Sequence, residues 1–572
     1  MVTPHNARLA VASRPLGRDA AGRLFFENLN GVATSVEPAI AAALERCAAW
    51  RTLAEHAGML GPTGALLLSR LAQAGFLVSE DEAGATLASR TRFKRSASVK
   101  FFALVSGDRP RDARAALSAF FSAPAPRPPL LLVDDSRTEA AAYRELVEEA
   151  RTAGPVTHLD RSARAQMAAA VAQELGVPSG LFERLLLGEQ SAVNRVGAAR
   201  NCVLALGAGC RFAMFDDDIH GAVVPCDSEE VVVPTDDPEI RPAPMHAAGE
   251  YVPMSTCTLL PPLVSLLRPI DALPVALSPK LGRYGQALHA ALRGTRSPRV
   301  ASAGLVGDCG MDSPFVWLAS ALRDAERRPG YEESRLSRRV HLVVPTSTLA
   351  LVPMWMSFAS AFHHSGWFPM FPGGGRGSDG LFADLLFAGE PDTAIAHSRA
   401  FAVHTPSEPR SFSVADLELP LSGAEANAAL SLTVRAITAR SRIGQNARSR
   451  LAKALADLAR ARDVTTVRDA IADAIAARQG LLSAGLADGA LPASMRADAE
   501  HCLRIAARAL QSRDGLFPPR EGYRDTPDRS VAIERFFSRM ADVAEGITMS
   551  EAIATSRAIG ACRTRILASA ST

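Results

Sequence analysis

The sequence predicts an α/β central domain, a mostly parallel sheet flanked by helices, set between a small N-terminal domain and a C-terminal helical domain. Three observations carry that reading. Residues from about 97 to 410 alternate short apolar runs with helix-like runs of a dozen or so residues, the pattern of strand–helix–strand units. Residues 1–95 show helical spacing in VEPAIAAALERCAAW and TGALLLSRLAQAG, followed by the short apolar FLVSE. Residues 411–572 are rich in Ala, Arg and Leu, as in ANAALSLTVRAITARSRI and RSRLAKALADLARAR, and read as a helical bundle. At 572 residues, 48% hydrophobic and 22% charged, the chain has material for two to four domains, each with its own core.

Taken in order, the first segment is a winged-helix-like module, helices with a strand at the edge, ending in the basic SRTRFKRSASVK. The central domain opens with VKFFALVS, RDARAALSAFFS, PPLLLVDDS, EAAAYRELVEEARTAG and PVTHLD, in which strand and helix alternate. Within NRVGAARNCVLALGAG, Val196, Ala199, Val203 and Leu206 mark one helical face, with Arg195 and Arg200 outside it. Gly207 and Gly209 then stop the helix and turn the chain into a strand through Phe212, Ala213, Met214 and Phe215. Residues 340–375 contain no Asp, Glu, Lys or Arg, long enough on paper to cross a bilayer at about 20 residues. Pro345, Pro353, Pro369 and Pro372 break that run, which predicts buried strand, helix and loop with no membrane span.

A net charge of +3 from nearly balanced acids and bases excludes the basic field that nucleic-acid binding requires. Eight cysteines without a C-x-x-C pair suit reduced thiols in a cytoplasmic protein, and the arginine-bearing amino terminus lacks the apolar core of a secretory signal.

Polar residues gather where strands end. LLLV is followed by Asp134, Asp135 and Ser136, and RFAMF by Asp216, Asp217 and Asp218. Three successive carboxylates beyond a buried strand need a cation, basic side chains or backbone donors to compensate them. In an extended segment Asp216 and Asp218 point the same way, about 7 Å apart.

The order S-G-D-R-P, V-D-D-S, A-A-R-N and F-D-D-D, with FPGGGRGSDGLFADLLFAGEPDTAIAHSRAFAVHTP downstream, resembles the family-two nucleotide-sugar glycosyltransferases. The resemblance spans about 97–410, more loosely over 221–365, and implies a GT-A-like fold with metal-dependent, inverting sugar transfer from a nucleotide-sugar donor. It implies a divalent metal, Mn2+ or Mg2+, bound by Asp218 with Asp216 on the metal and ribose side, Asp217 facing elsewhere, and His404 completing the shell. Asp135 with Asp134 would hold base and ribose, Ser106 and Asp108 would wall the same pocket, and Arg200 would face the diphosphate. Asp379 would be the general base that deprotonates the acceptor; Asp379 or Ser378 as a plain helix cap is the competing reading. Ser378 departs from the family, which usually has an acid there, and Asp384 on the same helix is expected to be exposed. Trp355, Trp367, Phe371 and Pro372 suit either sugar stacking or the core, more often the core. Asp308 and Asp312 suit the acceptor rim without a matched role, and the adjacent His363 and His364 diverge too far to share a metal.

The acceptor is open: a glycan, or a peptide held by the N-terminal domain, which is similar to modules heading peptide-modifying enzymes. The terminal helices suit a closing lid, a partner surface or a homo-oligomer contact. Two rivals stand beside the transferase: a nucleotidyltransferase, although SGDRPRDARA lacks the glycines of its phosphate loop, and a catalytically silent carbohydrate- or peptide-binding protein.

Overall fold

The computed structural model describes residues 7–18, 23–88, 99–122, 127–189, 192, 194–225, 232–235, 241–242, 251–254, 259–267, 275, 277, 285–294, 297–325, 328–344, 346–391, 393–408, 410–440, 446–520 and 528–569. The protein is mixed α/β. Strands Val156–Leu159, Leu130–Asp134, Phe102–Ser106 and Arg211–Asp216 lie side by side in that order, all parallel. FALVS and LLLVD are buried at every position, as continuous apolar runs in a sheet covered on both faces must be. The connecting helices Pro110–Phe121 and Ala140–Arg151 bury Ala113, Ala116, Leu117 and Phe120, and Tyr143, Leu146, Val147 and Ala150.

Beyond Arg211–Asp216 the sheet changes character. Ala359–His363 joins it antiparallel, then come Ser297–Asp308, Thr393–His404, Ser347–Ala350 and Val232–Thr235. The sheet is therefore mixed, a correction to the mostly parallel expectation. The uncharged segment supplies all but the first residue of Arg339–Val343, with Ser347–Ala350 and Ala359–His363, to it, and among its described residues there is no helix. Its prolines remove the amide donors a helix needs, and its short pieces are satisfied by ladder pairing instead. Among the described residues no helix is long and apolar enough to cross a membrane.

The first 88 residues carry more strand than their helical spacing suggests. Arg8–Val11 lies antiparallel between Arg51–Thr52 and Leu77–Ser79, with helices Pro38–Arg46, Leu53–Leu60 and Gly64–Gln73 alongside; Arg14–Arg18, Leu24–Glu27 and Ala33–Val36 form a second sheet. These strands of two to five residues are too short to show alternation in the sequence. Helix Gln286–Arg293 docks against them, burying Leu288 with Ala10, Trp50 and Val78, while His289 Nε2 meets the Asn28 carbonyl at 3.0 Å.

The carboxyl-terminal region is helical, including Ala426–Arg440, Arg529–Thr555 and Arg557–Ser569, and one apolar core runs through it and the sheet. Arg184 binds Asp542 at 2.6 Å, and Asn427 Nδ2 donates to the carbonyls of Gly374 (3.0 Å) and Arg376 (2.8 Å). The glycine-rich loop before Asp379 is thus tied to a terminal helix. Asp384, expected at the surface, is buried and accepts from Ser431 and from Arg435 at 2.9 Å, because helix Ala426–Arg440 covers that face.

Candidate functional site

Strand Arg211–Asp216 ends at its first aspartate, and Asp217 and Asp218 form the turn into strand Ile219–Pro225. The extended geometry expected for this triplet is absent, so Asp216 and Asp218 part ways. Asp217, expected to face elsewhere, shares a partner with Asp218: Arg109 Nη2 contacts Asp217, and Nη1 lies 2.9 Å from Asp218 Oδ2. Ser106 Oγ donates to Asp217 Oδ2 at 2.6 Å and also meets Tyr143 Oη. Ser106 is therefore a buried support for the aspartate turn. Burial pushes the Asp217 carboxyl up to about 8 against the pull of Arg109.

Asp218 faces His404. Its Oδ1 lies 3.0 Å from His404 Nε2, an approach set by the pairing of Ile219 with His404 and by the Thr405 amide donating to the Asp218 carbonyl at 2.9 Å. Burial opposes charge on both side chains, yet their mutual attraction wins: it holds the aspartate well below the usual carboxylate range and raises the histidine. His404 Nδ1 is oriented by the Asp308 carbonyl. Gly307, at φ +113°, permits this approach, since a Cβ there would stand 2.1 Å from the His404 carbonyl oxygen. The Asp308 carboxylate is bound by Arg338 at 2.8 and 3.0 Å, by Arg410 at 3.2 Å and by the Gly310 amide. Asp308, without a matched role in the sequence, thus anchors the turn that orients His404.

Asp216 is held by Arg200, whose Nη2 lies 2.8 Å from Oδ1, while Nη1 reaches Asp379 Oδ1 at 2.7 Å. Residues 197–206 of helix Val196–Leu206 are all buried, so Arg200 has no solvent face to occupy, contrary to the one-sided pattern read in the sequence. A Cβ at Gly197 would come within 2.2 Å of the Pro372 carbonyl, so glycine there lets the helix reach the loop before Asp379. Asp379 stands in the first turn of helix Ser378–Gly389. Its Oδ2 accepts from the Ser357 amide (3.0 Å) and its Oδ1 from the Ser357 hydroxyl (2.9 Å) and Ser378 Oγ (3.3 Å). Oδ1 carries most of these bonds, and the Asp379 side chain is 26% exposed.

Asp134 and Asp135 are buried. Asp134 accepts from the Ser136 amide at 2.7 Å and meets His158 at 3.2 Å. Asp135 binds Arg164 at 2.6 Å and Arg195 at 3.3 Å, and Arg195 also donates to its carbonyl at 2.9 Å. Burial and the neighbouring Arg161, Arg137 and Arg164 press the Arg195 guanidinium down to about 10, against the pull of Asp135. Asp108 is exposed, with φ +55°, and accepts from the amides of Arg137 (2.7 Å) and Thr138 (2.9 Å). Trp355, Trp367 and Phe371 are core residues, the first and last packed on Phe382.

Asp216, Asp379 and Arg200 meet, as do Asp218 and His404; Asp134, Asp135 and Asp108 form separate networks. Arg109, Tyr143, Arg164 and Ser357 are not singled out by the sequence, and Arg195, which it puts outside the apolar helix face, is given no role there. Only Arg109, inside S-G-D-R-P, carried a signal. Among the described residues no three His, Cys, Asp or Glu side chains converge as a metal-binding group. Asp218 and His404 offer two facing donors, which suits a hard cation that draws its remaining ligands from phosphate and water. Asp216, engaged by Arg200, does not fit as a third. No protein-family model and no curated protein sequence matches the chain.

Proposed function

We propose that the chain is a metal-dependent glycosyltransferase with a GT-A-like central domain, which moves a sugar from a nucleotide-sugar donor to an acceptor with inversion. The observation that carries it is the single guanidinium of Arg200 joining Asp216, at the end of the nucleotide-side strand, to Asp379, at the head of helix Ser378–Gly389. The two carboxylates this reading gives to donor and acceptor thereby share one guanidinium, and Asp218 on the next turn faces His404 at the end of strand Thr393–His404.

In this reading Asp218 and His404 hold Mn2+ or Mg2+, which when bound neutralises the charge developing on the leaving diphosphate. Asp216 takes the ribose side, and Arg200 holds Asp379 in place. Asp379 accepts the proton of the acceptor hydroxyl as it attacks, its place at the helix head putting it beside the tethered glycine-rich loop. Asp134, bonded to the Ser136 amide and His158, ends the strand paired with Phe102–Ser106, whereas Asp135 is bound by buried arginines. The N-terminal module would deliver a peptide acceptor.

A second reading draws on a specific observation: Asp216, Asp217, Asp218 and Asp379 each already have an arginine partner. A fold so neutralised suits a silent carbohydrate- or peptide-binding protein. Thermal melting against a panel of sugar nucleotides separates the two. The transferase reading expects one donor to raise Tm with Mn2+ and not with EDTA; the binding reading expects no metal-dependent rise with any donor.

A further inference from the structure

The guanidinium of Arg109 straddles the aspartate turn, Nη2 on Asp217 and Nη1 2.9 Å from Asp218 Oδ2, with Asp112 Oδ2 at 3.8 Å. Exposure is divided unequally among these groups. The Asp217 and Asp218 side chains are 0% and 6% exposed, that of Arg109 45%. The arginine, and not the carboxylates, therefore meets solvent at this mouth. Its backbone is fixed: the Arg109 amide donates to Tyr143 Oη at 3.2 Å, Pro110 opens the next helix, and Asp108 is pinned by the amides of Arg137 and Thr138. Any movement of the charge falls to the long, half-exposed side chain.

Buried carboxylates without counter-charge are unstable, and Arg109 joins His404 in supplying it to Asp218 while reaching Asp217 as well. A divalent ion on Asp218 would stand on the same carboxylate as the guanidinium, and two cations there repel. The diphosphate of a nucleotide, which brings negative charge to the same mouth, gives the arginine another partner in a geometry that suits its planar fork. We propose that Arg109 is a resident counter-cation of the donor site, neutralising Asp217 and Asp218 in the donor-free protein and passing Asp218 to the metal as its own guanidinium moves to the arriving diphosphate. This rests on the donor reading above. Metal and nucleotide then assist one another's binding, because each removes the other's cost.

Calorimetric titration of Mn2+ alone into the intact chain, Arg109→Ala, Arg109→Gln and the double variant Arg109→Ala/Asp218→Ala tests it. Both single variants are expected to bind Mn2+ about tenfold tighter than the intact chain, the scale of a neighbouring charge removed, and the double variant to lose that gain. Unchanged or weaker binding by single variants that melt as the intact chain does would overturn the proposal and leave the donor reading standing. Uridine and guanosine diphosphate serve as probes of the second half: one of them should tighten Mn2+ binding to the intact chain more than to Arg109→Ala. Equal tightening would overturn the hand-over. No Mn2+ bound by the intact chain or by either single variant would overturn the metal-dependent donor reading itself, and this inference with it.

Discussion

The strands ending at Ser106, Asp134, Leu159 and Asp216 and those between Ser297 and His404 build one sheet by different means. In the first group the three parallel strands Phe102–Ser106, Leu130–Asp134 and Val156–Leu159 follow one another in sequence, each joined to the next by one helix, and each short apolar run ends in polar residues. In the second, Ser297–Asp308 pairs with Thr393–His404, Ala359–His363 and Arg339–Val343, partners up to about a hundred residues away. Chemistry on the first side follows from local patterning; on the second it follows from register. Asp218 and His404 meet only because Ile219 pairs with His404 across the two halves.

The largest effect that would break this comparison is at the junction. Asp218→Ala should lower metal-dependent sugar-nucleotide turnover about 1000-fold or more, since the leaving group loses its counter-charge; a loss under tenfold would place the donor chemistry elsewhere. Next comes Asp135→Asn on the local side. It leaves Arg164 and Arg195 buried without their carboxylate, and denaturant melts should show a loss of about 3 kcal/mol. Unchanged stability with a raised donor KM would make Asp135 a nucleotide ligand instead. Asp379→Asn should cut kcat about 100-fold while donor affinity holds, separating acceptor chemistry from donor binding.

On the register-dependent side, Gly307→Ala should cost about 2 kcal/mol, from a strained φ and a Cβ against backbone, and lower Tm accordingly. The smallest effect is a pH dependence of the metal-free chain. His404 has a raised value in the folded state, so its contribution is complete below its unfolded value, about 6.5, and is lost as pH rises through the folded one. Asp218 is depressed, so its contribution is present above about 3.9 and lost as pH falls. Stability should therefore decline above pH 6.5, and His404→Gln should remove that decline.

Much of the candidate site was legible in the residues. The apolar runs, the aspartates after them and the glycine-rich approach to Asp379 are local signals, and the structure puts Asp216, Asp379 and Arg200 in contact. What was not legible has common causes. The Asp217–Asp218 turn is invisible to alternation, so the direction of each carboxylate was misjudged. The burial of Arg200 and Asp384 depends on helices more than 40 residues downstream that cover faces otherwise exposed. Arg195, set aside in the sequence, is buried against Asp135, a partner 60 residues away.

The proposed function stands on Asp218 and the facing His404 supporting metal-dependent breakage of a nucleotide-sugar bond. Its most direct test is nucleotide release from a panel of sugar nucleotides, with Mn2+ and with EDTA, by the intact chain and by Asp218→Ala. Slow release from one donor, present with Mn2+, abolished by EDTA and by the substitution, is the predicted result. A folded intact chain that releases nucleotide from no donor in Mn2+, or one whose release survives Asp218→Ala, would contradict it.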